Sequence, residues 1–167
     1  MSMALATSEW LLEHLGNPRL KIIDATFFLP TQTRHARAEY DAAHIPGAVF
    51  FDLDTIADTL TTTLPHMMPT AAHFGQALGA LGISNDDHVV IYDANSGVMG
   101  AARVWWMLRA FGHRHVALLD GGLDQWRQIN GPLDNTPVVP VAARYVATPP
   151  PQPNRYGPRS AKNARTP

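Results

Sequence analysis

Hydrophobic and polar positions along the chain follow two periods, which predict alternating strands and helices. The pattern is clearest over residues 88–109, where the run Val89, Val90 and Ile91 precedes a polar loop that contains glycine. From Ala101 onward, apolar side chains recur at helical spacing. Short β-branched runs bounded by polar residues are typical of buried strands. This stretch is therefore predicted to form a strand, a loop and an amphipathic helix.

The same reasoning predicts the other elements, and capping residues with glycine or proline stops set their bounds. The predicted strands are residues 20–25, 48–51, 88–92 and 116–119. The predicted helices are residues 9–15, 38–43 (one turn), 71–81 after the cap Thr70, 101–111 and 122–129, with loops at 27–37 and 52–69. Alternating strands and helices predict an α/β fold: a single three-layer domain whose parallel sheet is flanked by helices on both faces.

The composition changes near residue 134. From Asn135 onward the chain contains eight prolines and five Lys or Arg residues, but no Asp or Glu. Such a segment buries too little apolar surface to offset its chain entropy. The sequence therefore predicts one domain over residues 5–133. It predicts a Pro/Arg-rich segment over residues 134–167 that is a disordered tail or a truncated interdomain linker.

Charge and composition exclude several classes of function. The formal net charge is −1, which gives no general reason to expect nucleic acid or a membrane surface as a partner. The start of the chain shows no signal-peptide pattern, and no apolar run approaches the ~18 residues that span a bilayer. We therefore expect a cytoplasmic location. The chain has no cysteine, which excludes disulfides, thiolate zinc sites and a cysteine nucleophile. No metal site or cofactor is predicted.

Two acidic residues follow the second predicted strand in the stretch FFDLD. An apolar strand that ends in Asp-x-Asp is typical of aspartate-nucleophile phosphatases, in which Asp52 would attack phosphorus and Asp54 would act as general acid. That chemistry needs a downstream cation and a later acidic pair, and the only lysines are Lys21 and Lys162. The phosphatase is therefore a remote alternative. The structural alternative is that one of the two carboxylates satisfies backbone donors at the strand end.

One of the eight histidines stands out because it lies in a loop shortly after the Asp pair. His66 is part of the stretch LPHMMP, and a loop histidine near an aspartate can orient a group or transfer a proton. None of the histidines shows the helical pairing with an acidic third residue that is typical of a metal site.

Four segments together resemble the rhodanese family, in particular its tandem-domain 3-mercaptopyruvate and thiosulfate sulfurtransferases. They are YDAAHIPGAVFFDLD (residues 40–54), LPHMMP (64–69), VVIYDANSGVMGAARVWWMLRAFGH (89–113) and VALLDGGLDQW (116–126). The resemblance is to the amino-terminal half of the tandem enzymes, which is catalytically silent. It implies a rhodanese-like fold and a partner: a second rhodanese domain, missing here or on a separate chain, whose cysteine carries sulfane sulfur as a persulfide.

In that family the cysteine lies on a strand-to-helix turn, where backbone N–H groups stabilise an anionic sulfur. In this chain Asp93 takes the corresponding turn position. A carboxylate is a poor nucleophile toward sulfur, and it would repel an anionic donor by about 4 kcal/mol at ~4 Å and a dielectric constant of ~20. The resemblance thus implies a pseudo-active-site loop made of Asp93, Asn95, Ser96, Gly97, Val98, Met99 and Gly100.

The resemblance also assigns auxiliary roles to two residues. An Asp and a His of the first domain are proposed to form a triad with a Ser in the cysteine loop of the second domain, and the matching residues here are Asp54 and His66. The chain is therefore expected to be the amino-terminal half of a sulfurtransferase and inactive alone. The alternative is a non-catalytic docking or regulatory module. Without a second domain, the exposed interdomain face could also support self-association.

Overall fold

A five-stranded parallel sheet forms the centre of the computed structural model, which describes residues 4–58, 64–95 and 99–149. The strands are β1 (Leu5–Ala6), β2 (Leu20–Asp24), β3 (Ala48–Phe50), β4 (His88–Tyr92) and β5 (Val116–Leu119). Their order across the sheet is β1-β5-β4-β2-β3, so β4 is central and β2 is its neighbour. All four strand pairs are parallel.

Within the described residues, six helices cover the two faces of the sheet. They are α1 (Ser8–His14), α2 (Ala36–Ala42), α3 (Leu53–Ile56), α4 (Ala71–Ala80), α5 (Gly100–Ala110) and α6 (Gly122–Gln128). One apolar cluster joins the sheet to α3, α4 and α5, and a second joins it to α1, α2 and α6. Within a strand, neighbouring residues such as Ile22 and Ile23 belong to opposite clusters, as the two-residue period of a strand requires. The predicted three-layer α/β fold is confirmed.

The predicted elements are confirmed to within a residue or two, and the caps explain why. Thr7 and Thr70 accept hydrogen bonds from the first turns of α1 and α4, and Thr70 is the predicted cap of α4. Two elements were missed: the edge strand β1, and α3, which lies in the predicted loop 52–69. Both are too short to show a period in the sequence.

The stretch YDAAHIPGA leads from α2 into β3 and is held by buried contacts between its own residues. The Tyr40 hydroxyl donates to the Ala48 carbonyl at 2.7 Å, and the Tyr40 and His44 rings stack at 4.3 Å. His44 also bonds the Tyr40 carbonyl through Nδ1 at 2.8 Å. Gly47 has a φ of +78°, which a side chain rarely tolerates. The block therefore fixes how α2 returns to the sheet.

Residues 138–148, here called the strap, correct the boundary predicted at residue 133. Tyr145 is 6% exposed within the main apolar cluster, and Val138 and Ala147 pack against that cluster. Asn85 holds the strap through two hydrogen bonds, one to each backbone polar group of Val146. The expectation of disorder is therefore wrong for the strap, while residues 150–167 lie outside the described part of the chain.

Glycines on α4 allow the strap to approach so closely. A Cβ at Gly79 would lie 2.6 Å from the Ala143 carbonyl oxygen, and one at Gly75 would lie 2.9 Å from that of Tyr145. The same approach lets the Ala143 N–H donate to the Gly79 carbonyl at 2.9 Å. Composition alone predicts disorder here because it contains no information on how the glycines of α4 pack against the strap around Tyr145.

We expect Tyr145→Ala to lower the free energy of unfolding by about 3 kcal/mol, because it removes a buried aromatic ring. Val141→Ala, at a strap position that is 87% exposed, should change it by less than about 0.5 kcal/mol. In the described part of the chain the Tyr145 hydroxyl has no hydrogen-bond partner, so Tyr145→Phe should not destabilise. Urea denaturation measures all three, and equal effects of the two alanine variants would show that the strap is not packed in solution.

Candidate functional site

Asp93 lies at the carboxyl end of the central strand β4, where parallel α/β sheets usually bind ligands. Its side chain is fully buried. One carboxylate oxygen accepts from the Asn95 N–H and the other from the Ala101 N–H in the first turn of α5, both at 3.0 Å. Anions favour this position because the first turn of a helix has unpaired N–H groups. The carboxylate therefore acts as a cap for the loop and for α5.

Of the predicted pseudo-active-site loop, Ser96, Gly97 and Val98 lie outside the described residues. Met99 directly precedes α5, and its sulfur accepts from the Asn95 side-chain amide at 3.3 Å. Gly100 is required by packing, since a Cβ there would overlap the Ala25 carbonyl oxygen. The described ends of the loop are thus held by Asp93 on one side and by the end of β2 on the other.

Asp54 and His66 form a close pair at the same edge of the sheet. The Nε2 atom of His66 lies 2.6 Å from Oδ1 of Asp54. Because a carboxylate only accepts, this nitrogen must carry the proton, which leaves Nδ1 of the neutral ring as a base. No hydrogen bond is made by Nδ1 within the described part of the chain. The side chains are 30% exposed for His66 and 71% exposed for Asp54, so the pair is reachable from solvent.

Two further residues position His66, and the sequence did not single them out for this. Arg103 on α5 donates from Nη2 to the His66 carbonyl at 2.7 Å, which supports a backbone with a φ of +57°. The Phe27 ring meets the imidazole edge-on at 4.8 Å. Arg103 follows the loop in the stretch GAARVWW, but no local pattern links it to a residue 37 positions earlier.

A buried network underlies the loop. Asp24, at the end of β2, is 2% exposed and accepts from the Thr26 N–H at 2.8 Å. Burial raises the pKa of Asp24, and the hydrogen bonds from Thr26 oppose that rise. The Thr26 hydroxyl in turn accepts from the Ala94 N–H at 3.0 Å. The segment that carries Phe27 to His66 is therefore tied to the loop that begins at Asp93.

Comparison with known families identifies the family of the domain. The sequence profile of the rhodanese-like domain matches residues 7–129, which is most of the chain and all of the sheet except β1. This chain belongs to the rhodanese family. The resemblance seen in the four sequence segments is thereby confirmed.

Known sulfurtransferases are similar to this rhodanese domain. Human 3-mercaptopyruvate sulfurtransferase is 46% identical over 149 residues, which cover 86% of this chain and 50% of the human protein. A mitochondrial thiosulfate/3-mercaptopyruvate sulfurtransferase of Arabidopsis thaliana is 51% identical over 126 residues, covering 75% and 33%. SseA of Escherichia coli, solved as a 3-mercaptopyruvate sulfotransferase with the rhodanese fold, has a TM-score of 0.81 at 37% identity and covers 89% and 58%. The chain therefore spans half or less of the two sequence relatives.

The described residues of this rhodanese domain do not form the site that the phosphatase alternative requires. Asp52 caps α3, where its Oδ1 accepts from the Asp54 N–H at 3.1 Å and from the Thr55 N–H at 3.4 Å. Asp54 is engaged with His66. Among the described residues there is no group of three His, Cys, Asp or Glu that could hold a metal ion. Asp52 therefore has the structural role that the sequence left open.

We expect Asp93→Ala to lower the free energy of unfolding by about 2 kcal/mol, because one buried and one half-buried N–H group lose their acceptor. Asp52→Ala is the matched control, since it removes the cap of a helix of only four residues. Its expected cost is about 0.5–1 kcal/mol. Chemical denaturation measures both, and a harmless Asp93→Ala would contradict the capping role.

The close pair predicts that neutral His66 in the wild-type chain carries its proton on Nε2. Nitrogen-15 NMR of the ring distinguishes the two tautomers. Asp54→Ala should convert the His66 signals into those of a tautomer mixture and leave the ring of His113 unchanged. His113 is buried and far from His66 in sequence, and its Nε2 lies 3.1 Å from the Asp87 carbonyl oxygen. An Nδ1-protonated His66 in the wild type would rule out the pair.

Proposed function

We propose that this chain acts as the amino-terminal domain of a sulfurtransferase and that it transfers no sulfur alone. The relatives named above are sulfurtransferases, which supports the family of the reaction. The sequence contains no cysteine, so the chain has no thiolate to carry a persulfide. The nucleophile must then come from a second, cysteine-bearing rhodanese domain. The observation that carries the proposal is the 2.6 Å contact between His66 and Asp54.

With 3-mercaptopyruvate as donor, a cysteine thiolate of the second domain attacks the donor sulfur. The new S–S bond forms as the donor C–S bond breaks, and the bonding electrons leave on pyruvate enolate. The donor thiol loses one proton and the enolate carbon gains one, so a single residue that accepts and returns a proton balances the step. An acceptor such as cyanide then attacks the outer sulfur, and the S–S electrons return to the cysteine thiolate.

His66 is suited to this proton relay. Its Nδ1 is the free base of the ring, while Asp54 holds the tautomer and stabilises the protonated imidazole. In the proposed site a serine in the cysteine loop of the second domain completes the triad. Thiosulfate differs as a donor because its leaving group, sulfite, needs no proton on carbon. The relay should therefore matter more for 3-mercaptopyruvate than for thiosulfate.

An apolar rim around the pair supports docking of a second domain at this edge. Leu64 is 61% exposed, Met67 44% and Trp106 46%. Leu64 and Met67 flank His66 in sequence, and the Trp106 ring lies 4.9 Å from the guanidinium of Arg103. Exposed apolar surface with a polar centre is typical of an interaction site. The same rim supports the alternative of a non-catalytic docking module, and it is where self-association would occur.

In the described part of the chain no helix is long and apolar enough to cross a membrane. A cytoplasmic location stays a prediction, because the Arabidopsis thaliana relative is named as mitochondrial. The absence of a nucleic-acid partner also stays a prediction, drawn from the net charge of −1.

The test uses the chain alone and the chain joined to the half of human 3-mercaptopyruvate sulfurtransferase that this chain does not match. Thiocyanate production from cyanide is the readout. The chain alone should give no turnover with thiosulfate or with 3-mercaptopyruvate. In the joined protein, His66→Gln should slow the 3-mercaptopyruvate reaction about 100-fold, because it removes a general acid–base group. The thiosulfate reaction should fall much less.

His115→Gln is the matched control, since this exposed histidine directly precedes β5 and so lies at the end of the sheet where the strands begin. It should leave both reactions unchanged. Turnover by the chain alone would overturn the proposal. An equal loss with both donors would show that His66 has a structural role and not a role in proton transfer.

A further inference from the structure

A cavity of about 200 Å³ lies at the end of the sheet where the strands begin, opposite the end that carries Asp93 and His66. It is formed where α1, the turn after it and the first residues of β2 and β4 meet. The residues that line it are Trp10, His14, Asn17, Arg19, Leu20 and His88. Basic and aromatic side chains thus surround the cavity, and no carboxylate is among the lining residues.

Arg19 is the cation of this cavity, and its backbone is fixed. Its N–H donates to the Asn17 side chain at 3.0 Å, and its carbonyl accepts from the His88 N–H at 2.8 Å. Within residues 4–58, 64–95 and 99–149, its guanidinium makes no ion pair or hydrogen bond. In contrast, Arg34 and Arg37 are each paired with a carboxylate within 3 Å. The fork of Arg19 is therefore available to a planar anion.

The aromatic side chains of the cavity occur in stacked pairs. The rings of Trp10 and His14 are 4.1 Å apart with an interplanar angle of 19°, and those of His88 and His115 are 4.9 Å apart. Nδ1 of His14 must donate to the Trp10 carbonyl at 2.7 Å, because that oxygen can only accept. Nε2 of His14 is then left as an acceptor, or as a donor once the ring is protonated. These groups suit a flat ring that carries its own ring nitrogen.

We propose that this cavity binds a small planar heteroaromatic carboxylate, whose ring packs against Trp10 and His14 and whose carboxylate pairs with Arg19. The cavity is smaller than pockets for drug-sized ligands, so it fits one ring and not a larger molecule. Ligands of α/β sheets usually bind at the carboxyl ends of the strands, whereas Leu20 and His88 begin their strands. The site is thus separate from the sulfur-transfer edge, and it stands whether or not the proposed function holds.

The test titrates the full chain with nicotinate, with nicotinamide, which has the same shape but no charge, and with acetate, which has the charge but no ring. Proton NMR follows the Trp10 indole and the His14 and His88 rings, and the Trp105 indole, which bonds the Val116 carbonyl, serves as a distant probe. We expect saturable shifts with nicotinate at the cavity only. Nicotinate should bind about ten times more tightly than nicotinamide or acetate, as a charge-assisted pair predicts.

Arg19→Gln should weaken nicotinate binding about tenfold, because it removes the cation that pairs with the carboxylate. Arg19 is exposed, so the substitution should leave the fold intact. The matched control Arg144→Gln, at another exposed arginine, should leave binding unchanged. Equal affinity for nicotinate and nicotinamide would overturn the proposal, as would an Arg19→Gln variant that binds normally. The absence of saturable shifts at Trp10, His14 and His88 would overturn it as well.

Discussion

A buried carboxylate occupies the point where the central strand gives way to α5, and both of its oxygens accept backbone hydrogen bonds. Helix starts have unpaired N–H groups, and a buried one without a partner is costly. Asp93 resolves this for α5 and at the same time fixes the loop that follows β4. The position at which a parallel sheet usually binds its ligand is thus used to hold the fold together.

This constraint separates the two parts of the chemistry. The Asp93 carboxylate is a poor nucleophile toward sulfur and already accepts two backbone hydrogen bonds. The chain has no thiol that could take up sulfane sulfur instead. At the same edge the domain presents the close pair of His66 and Asp54, to which we assign proton transfer. Arg103 and Phe27 hold His66 from α5 and from the segment after β2. The domain therefore acts, in our account, through what it places beside another domain's cysteine.

Most of the fold was predictable because it depends on local signals. Threonine caps, glycine stops and β-branched runs mark α1, α4 and the three inner strands, and each has a physical cause within a few residues. The strap was not predictable in this way. Its packing depends on Gly75 and Gly79, some 65 residues earlier in the chain. The composition of the segment does not show that its tyrosine, Tyr145, is buried.

The candidate site divides along the same line. A loop pattern and the family resemblance both indicate Asp54 and His66, and the structure brings them together. The roles of Arg103, Phe27 and Thr26 depend on contacts between distant segments, so no pattern in the sequence indicates them. The cavity beside Arg19 is a similar case, because its lining comes from α1, a turn and two strand starts.

The central claim is that this domain completes a site whose nucleophile lies on another domain. An experimental structure of the chain joined to a cysteine-bearing rhodanese domain tests it most directly. Our account predicts that the His66 imidazole faces the cysteine loop, with Nδ1 within hydrogen-bonding reach of a group in that loop. A complex in which the second domain covers a different face, with His66 and Asp54 open to solvent, would contradict it.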